Sequence, residues 1–308
     1  MSKQAFDAIF LLDKPVGRTS NEVLQEVKRM LGSKKAGHTG SLDPIASGLL
    51  PICLGGATRF SQFLLESTKS YVVTGKLGEN TLSGDCETKV IKQRETTDVS
   101  YEKIKVALEK FKGKINQIPP MYSAIKYQGK PLYKLARQGI EVTRQPREIT
   151  IYKLELISFA DDLLTLEITC TKGTYIRTLI DDLGEVLGCG AHVVELRRTA
   201  VGPYREHQMV SLDQLAGFLV DKKTIVAEAE SWLLPIESMF SELPRLELST
   251  EMLSYLLQGS ALFVPKLISS ESLVSVYDKS GTFCGIGEAT AQGKLIPRKL
   301  LDKRQLIS

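Results

Sequence analysis

The 308-residue sequence contains no uninterrupted apolar run of the length that a membrane-spanning helix requires. Such a helix needs about 20 predominantly apolar residues, so none is expected here. The apolar stretch near the N-terminus, Ala8–Leu12, is short and lies between Asp7 and Asp13. It lacks the form of a secretory signal peptide and predicts a buried strand. Internal repeats and low-complexity segments are absent as well.

Cysteine is scarce and irregularly spaced. The five cysteines lie at positions 53, 86, 170, 189 and 284, and an odd, scattered set does not indicate a disulfide framework. A reducing cytoplasm is therefore the expected location. Cys189 and His192 have the spacing of half a zinc site, but no second pair completes it. A buried thiol near a helix end is the favoured interpretation, and no metal site is predicted.

Positive charge is concentrated in one region rather than spread along the chain. The net charge is only +4, yet the segment 103–153 contains twelve Lys and Arg residues and three acids. Such a local excess suggests a polyanionic partner. A solvated, lysine-rich helix face would explain the charges in the first part of this segment, residues 103–114, but not those in its remainder.

The pattern of apolar residues predicts an α+β fold. Thr19 and Glu22 form a capping box before an apolar stripe, which indicates a helix over 19–31. Further helices are predicted at 57–65, 101–111 and 174–188. Alternation with a period of two predicts strands at 70–77, 152–156 and 164–170. Hairpin-joined strands mixed with helices favour a mixed, mainly antiparallel sheet flanked by helices. Residues 17–20 lack the lysine of a phosphate-binding loop.

The C-terminal part of the chain differs from the rest. Residues 205–243 predict helical and acidic pieces that close a main domain over 1–243. Short β-like runs at 273–277, 282–287 and 294–297 come after them, separated by glycine-containing turns. They predict a small β-rich domain over 244–308.

The segment Gln117–Gly139 interleaves aromatic and cationic residues on a backbone that prolines stiffen. This combination is typical of surfaces that stack on RNA bases and contact phosphates. A hairpin or loop that uses its tyrosines for packing is the alternative. The candidate RNA contacts are Tyr122, Lys126, Lys130 and Arg137.

A single carboxylate, Asp43, lies in the stiff segment Gly37–Pro51. The proline at position 44 restricts Asp43 to extended backbone, and glycines allow tight turns and close approach by another molecule. An aspartate that merely caps a turn is the alternative interpretation. Arg177 is predicted in the first turn of a helix, where its charge opposes the helix dipole. It therefore favours a nearby anion, either a phosphate or Asp43, in a bidentate pair that would keep the carboxylate ionised. An exposed arginine remains the alternative.

Six motifs in the same order resemble the TruB family of pseudouridine synthases. They are LLDKPVG, GHTGSLDPIASGLLP, KSYVVTGKLG, QIPPMYSAIKYQGKPLYKLARQG, KGTYIRTLIDDLG and GAHVVELRR. The resemblance extends over nearly the whole chain and is strongest in 8–78 and 117–198. It implies the pseudouridine synthase fold, a mobile RNA-clamping insertion at about 117–147, and a C-terminal PUA-like RNA-binding domain.

The resemblance also implies roles for matching residues. Asp43 matches the catalytic aspartate, Tyr71 the tyrosine that packs on the target uracil, and Arg177 the partner of the aspartate. Leu196 matches a residue that lines the uracil pocket. His38 matches the histidine that enters the RNA loop where the flipped base had stacked. Without the resemblance, a turn histidine that bonds its own backbone is the favoured interpretation of His38. Lys14, with Pro15, matches a motif that supports the floor of the site.

The implied activity is isomerisation of uridine 55 in the T-arm loop of tRNA to pseudouridine. Base flipping and an aspartate nucleophile would suffice, without a cofactor, in a monomeric cytoplasmic enzyme. One carboxylate is enough because no water has to be activated, whereas a glycoside hydrolase needs two. A non-catalytic RNA binder or tRNA-folding chaperone, and a nucleoside or glycoside hydrolase, are the competing hypotheses.

Overall fold

The structure, a computed structural model, describes residues 7–220, 232–264 and 272–301. Its strands, in chain order, are β1 (Ala8–Lys14), β2 (Ala36–His38), β3 (Ala46–Leu54), β4 (Lys69–Leu77), β5 (Glu79–Thr81), β6 (Val90–Gln93), β7 (Gly113–Gln117), β8 (Lys126–Tyr127), β9 (Lys130–Pro131), β10 (Arg147–Ala160), β11 (Leu163–Cys170), β12 (Ala191–Val201), β13 (Tyr204–Arg205), β14 (Val210–Ser211), β15 (Leu233–Pro235), β16 (Arg245–Glu247), β17 (Leu262–Phe263), β18 (Ser272–Tyr277), β19 (Phe283–Ala289) and β20 (Lys294–Leu300).

The helices are α1 (Ser20–Met30), α2 (Ser61–Glu66), α3 (Tyr101–Glu109), α4 (Leu132–Ala136), α5 (Ile176–Leu187), α6 (Leu212–Val220) and α7 (Thr250–Leu257), with 3₁₀ turns at Gly55–Arg59, Glu206–Gln208 and Ile236–Phe240. Among the described residues, no helix is long and apolar enough to span a membrane.

The main sheet is mixed and mainly antiparallel, as predicted. Its order is β14-β1-β3-β12-β4-β11-β10-β7, and within the described part of this sheet only the β1–β14 and β3–β12 pairings are parallel. Strand β12 lies between β3 and β4, so that Leu196 pairs with Ala46 on one side and Val73 on the other. This arrangement brings together three segments that are distant in the sequence: the Asp43 loop before β3, Tyr71 on β4 and Leu196 on β12.

Amphipathic helices cover the sheet on the faces that their sequences predict. Helix α1 begins at the predicted capping box, in which Thr19 accepts the Glu22 amide and Glu22 accepts the Thr19 amide. Its residues Val23 and Val27 pack on Phe10 of β1. Helices α3 and α5 pack on the other part of the sheet, in the cluster that contains Tyr71 and Leu196.

Two predictions for local structure were incomplete. The helix predicted over 57–65 is divided at Phe60 into a 3₁₀ turn and α2, and Phe60 is fully buried against the aromatic rings of Phe63, Phe240 and Phe283. The helical pieces predicted in 205–243 include α6 and two 3₁₀ turns, but strands β14 and β15, which both pair with β1, were not predicted. They cover an edge that would otherwise expose unpaired backbone groups. Residues 221–231 of this segment lie outside the described residues.

The β-rich C-terminal prediction corresponds to a second sheet with the order β16-β18-β19-β20-β17. Strands β18, β19 and β20 contain the three predicted runs. This sheet has its own core with α7, and Phe283 and Ile286 of β19 pack beside Phe60 and Phe240. The second sheet is therefore in apolar contact with the main one.

Candidate active site

The loop that carries Asp43 is fixed by a buried serine. Ser20, the first residue of α1, donates from its Oγ to the Leu42 carbonyl at 3.0 Å and accepts the Leu42 amide at 2.8 Å. The Ala46 amide donates to the carbonyl of Asp43 itself at 3.0 Å. Because the backbone is bonded on both sides of Asp43, the carboxylate projects from a rigid turn.

Lys14, at the end of β1, supports the same loop from beneath. It is completely buried, and its ammonium donates to the carbonyls of Pro15 at 2.8 Å and Ala46 at 2.6 Å. Burial lowers the pKa of Lys14 to about 8, and the charge of Asp43 opposes this shift. Lys14 thus occupies the position below the Asp43 loop where a supporting residue was expected.

Asp43 and Arg177 are in contact. Arg177 Nε lies 2.9 Å from Asp43 Oδ2, and the side chains of Arg177 and Asp43 are 6% and 41% exposed. The contact that the sequence suggested is therefore present, and the alternative of an exposed Arg177 is wrong. The carboxylate remains accessible from the cleft while its cationic partner is buried behind it.

The predicted bidentate pairing was wrong, because Arg177 divides its donors among four groups. Nη1 donates to the Ser83 carbonyl at 2.7 Å and lies 3.4 Å from Asp85 Oδ2. Nη2 donates to the Tyr122 carbonyl at 2.7 Å. The guanidinium therefore joins the Asp43 loop, the loop after β5 and the segment after β7. Arg177 is a junction of three chain segments and not only a partner for one carboxylate.

The electrostatics of Asp43 balance burial against its partner. Burial raises the pKa of Asp43 above its ordinary value, Arg177 lowers it, and Asp85 raises it again. The net shift is upward, so Arg177 favours the ionised form as expected but offsets only part of the effect of burial. Once ionised, the Asp43 carboxylate can act as a base or as a nucleophile.

Tyr71 and Leu196 form an apolar wall next to Asp43. They are 8% and 7% exposed and belong to one cluster with Leu42 and Ala46, which flank Asp43 in the sequence. Burial raises the pKa of Tyr71 to about 12, so its phenol stays protonated at neutral pH. The structure thus brings Asp43, Tyr71, Arg177 and Leu196 into one neighbourhood.

Three further residues of this neighbourhood were not predicted from the sequence. Arg198 is buried behind the site and donates to the carbonyls of Leu49 at 2.7 Å and Gly40 at 3.1 Å. Asp85 is 1% exposed, and Gln117 is 3% exposed with its amide on the backbone of Tyr175. A single Asp or Gln in a polar segment cannot be distinguished from a surface residue without the fold.

His38 lies on β2, paired in register with Ile52 of β3. His38 is therefore the last residue of a short strand, directly before a bend at 39–40. Its Nδ1 is buried without a hydrogen-bond partner among the described residues. Burial lowers the pKa of His38, and Arg198 lowers it further, which favours a neutral, planar ring.

The candidate RNA contacts lie apart from Asp43. Lys126 and Lys130 are exposed on the small β8–β9 hairpin. Arg137 follows α4 with its guanidinium 5.6 Å from the centre of the Tyr133 ring. Tyr122 is close to the site only through its carbonyl, which Arg177 binds. No described contact joins Lys126, Lys130 or Arg137 to Asp43.

The residues of the half zinc site have other roles. Cys189 is buried beyond the end of α5, with Sγ 4.0 Å from the Gly184 carbonyl. Nδ1 of His192 lies 3.2 Å from the Glu79 carbonyl. The buried thiol was therefore the correct interpretation of this pair.

Comparison with known proteins shows the family of the chain. Three family models match in succession: the TruB family pseudouridylate synthase N-terminal domain over 28–176, the tRNA pseudouridylate synthase B C-terminal domain over 177–241, and the C-terminal model of pseudouridine synthase II TruB over 244–301. Together with the Asp43–Arg177 site, they define a pseudouridylate synthase. The chain belongs to the TruB family of these enzymes.

Named relatives match over almost the full length. The chain is 50% identical over 302 residues to tRNA pseudouridine synthase B of Coxiella burnetii (strain RSA 493 / Nine Mile phase I), covering 98% of this chain and 97% of that protein. It is 48% identical to the protein of the same name from Tolumonas auensis, over 95% and 91%. A solved Cbf5–Nop10–Gar1 complex contains a chain of similar fold, with a TM-score of 0.75 and 28% identity over 97% of this chain and 85% of that one.

Proposed function

We propose that this enzyme isomerises the uridine at position 55, in the T-arm loop of tRNA, to pseudouridine. The observation that supports this function best is the accessible Asp43 carboxylate, paired with a buried Arg177 at the edge of an apolar wall. The tRNA substrate rests on the name that the full-length relatives share.

The chemistry requires only one reactive carboxylate. The N1–C1′ bond of the uridine breaks, the uracil turns within the pocket, C5 bonds to C1′, and C5 loses a proton while N1 gains one. No atom is gained and no redox change occurs, so the reaction itself needs no activated water. Tyr71 and Leu196 would pack on the detached uracil and keep water away from it, so that rebonding is faster than hydrolysis.

In this proposal the proton from C5 passes to Asp43. The phenol of Tyr71 is protonated at neutral pH, as an ordinary tyrosine is, and burial raises its pKa further, to about 12. The raised pKa of Asp43 makes the carboxylate a better proton acceptor than an ordinary aspartate. The phenol of Tyr71 therefore serves as part of the wall.

RNA binding in this proposal uses two surfaces. The first is the clamp, residues 117–147, in which Lys126 and Lys130 have no ion-pair partner among the described residues. By contrast, Lys112, Lys114 and Arg144 pair with acids. The second surface belongs to a PUA-like domain at 244–308. His38, with a neutral and planar ring, would fill the space that the flipped base leaves, which offsets part of the stacking energy lost. The enzyme would act as a cytoplasmic monomer.

A hydrolase is the less favoured alternative. The nearby Asp85 is a second carboxylate that sequence reasoning did not find, but it is 1% exposed and accepts the Ser83 hydroxyl and the Glu87 amide. It cannot activate water in the cleft. Glu87 is accessible to solvent, so it is the remaining carboxylate to test. Its pKa is raised by the burial of part of the group and by the charges of Asp85 and Asp43.

The test is incubation of the protein with a T-arm stem-loop transcript. Conversion of one uridine to pseudouridine, with no change of RNA mass and no free uracil, is expected. Glu87→Gln should leave this conversion intact. Release of uracil that depends on Glu87 would indicate hydrolysis. Binding without conversion would favour an RNA chaperone.

A further inference from the structure

The clamp and the helix that carries Arg177 are joined by a buried glutamine. Gln117 is the last residue of β7, where the clamp begins, and is 3% exposed. Its Nε2 donates to the Tyr175 carbonyl at 3.0 Å, and its Oε1 accepts the Tyr175 amide at 2.8 Å. Tyr175 is the N-cap of α5 and makes no side-chain cap of its own. Gln117 thus supplies, from another segment, an acceptor for the Tyr175 amide, one of the donors that a helix start leaves unpaired.

A second connection runs in the opposite direction. Arg177, in the first turn of α5, donates from Nη2 to the carbonyl of Tyr122 in the clamp at 2.7 Å. Beyond these two connections, a cavity of about 500 Å³ lies between the clamp and the helix, lined by Ile118, Ile140, Thr178 and Asp181 among others. The clamp therefore does not pack continuously on α5 in this region.

The other end of α5 is fixed independently of the clamp. A Cβ on Gly184 would lie 2.2 Å from the Ala191 amide nitrogen, so the helix lies directly on the backbone of β12. The first turn has no comparable backbone contact with the sheet among the described residues. Its position is set by the burial of Ile176 and Leu179 in the core, by Gln117 and by the contacts of Arg177 itself.

We propose that Gln117 is a positioning residue for the reaction, which fixes the Asp43–Arg177 pair at the base of the clamp. Through Tyr175 it holds the first turn of α5, and this turn determines whether Arg177 Nε reaches Asp43. Gln117 pairs with Arg147 of β10 in the main sheet, so its position does not depend on the rest of the clamp. The Tyr122 carbonyl is the contact that a moving clamp would withdraw. This inference rests on the proposed function.

The test separates binding from turnover in Gln117→Met, which keeps the side-chain length and removes both polar groups. RNA affinity and the single-turnover rate of fully bound T-arm RNA are measured at one pH. The rate should fall by about tenfold to a hundredfold, the cost of a small misplacement of reacting groups, while RNA affinity stays at the wild-type value. Gln138→Met is the matched control, since Gln138 is exposed in the same clamp and its side chain has no hydrogen bond among the described residues. It should match wild type.

Two results would overturn the proposed positioning role of Gln117. One is a Gln117→Met protein whose bound RNA turns over at the wild-type rate, even if its melting temperature is lower. The other is a loss confined to RNA affinity, which would make Gln117 a support for binding alone. If Gln117→Met does not fold, Gln117→Asn decides, because it keeps an amide that is one methylene too short to reach both groups. A wild-type protein that forms no pseudouridine would overturn the proposed function itself.

Discussion

Replacing Arg177 with methionine should affect stability and catalysis for two separable reasons. The substitution removes the cation beside Asp85, whose side chain is 2% exposed. Breaking a buried ion pair by removing one partner costs about 3–5 kcal/mol in the free energy of unfolding. The lower end is expected, because Asp85 keeps the Ser83 hydroxyl and the Glu87 amide. Loss of the contact with Asp43 adds little, since that carboxylate is 41% exposed.

The catalytic effect arises from Asp43 rather than from Asp85. Without the guanidinium, the reacting carboxylate loses its oriented partner, and the single-turnover rate should fall at least about a hundredfold, as for other fixed electrostatic groups. Adding Asp85→Asn to Arg177→Met removes the unpaired buried charge. The double variant should therefore regain at least half of the lost stability and none of the lost rate.

Denaturant unfolding and single-turnover kinetics on the same preparations test this separation. Arg197→Met is the matched control, because Arg197 pairs with Asp13 where both side chains are partly exposed, 39% and 31%. Its cost should stay below about 1 kcal/mol. If Arg177→Met were as stable as this control, the contacts of Arg177 with the three chain segments would not contribute measurably to the free energy of unfolding. Recovery of the rate in the double variant would show that Arg177 does not act on Asp43.

Three further predictions concern pH, backbone and RNA contacts. Because burial raises the pKa of Asp43 and the ionised form reacts, the single-turnover rate should fall with decreasing pH at a midpoint above the ordinary 3.8; a midpoint at or below it would contradict this. Gly48→Ala should cost more than about 2 kcal/mol in denaturant unfolding, since φ is +97° and the new Cβ would lie 2.4 Å from the Arg198 carbonyl oxygen. Gly37→Ala, with no atom within 4 Å of its Cβ, should be neutral. Lys126→Ala with Lys130→Ala should weaken RNA binding and reduce its salt dependence by about 2 in slope, whereas Lys114→Ala should not, because Lys114 pairs with Glu148.

Local patterns predicted most of the fold because they depend on nearby residues. The capping box at Thr19 and the period-two strands on either side of Asp161 were sufficient for α1 and the β10–β11 hairpin, where Asp161 and Asp162 take φ of 51° and 63°. The division of the 57–65 helix at Phe60 was not predicted, and Phe60 packs on Phe240 and Phe283, which are far away in the sequence. The addition of β14 and β15 to β1 likewise joins segments that are distant in the sequence.

The candidate site could be predicted only in part from the sequence. An arginine against the helix dipole indicated an anion near Arg177, and the anion is Asp43. The second anion, Asp85, and the two carbonyls on Arg177 could not be predicted, because they come from loops whose approach depends on the order of the sheet. The sequence indicated that Arg177 favours the ionised form of Asp43, but it could not show the larger, opposing effect of burial, which raises the pKa.

The central claim is that one carboxylate, Asp43, performs the isomerisation while other groups bind the RNA. The most direct test is single-turnover conversion of T-arm RNA by Asp43→Asn, with the RNA dissociation constant measured on the same protein and Glu87→Gln as the control for a nearby carboxylate. The account predicts no detectable pseudouridine with Asp43→Asn, RNA affinity close to wild type, and full conversion with Glu87→Gln. Pseudouridine formed by Asp43→Asn at the wild-type rate would contradict it.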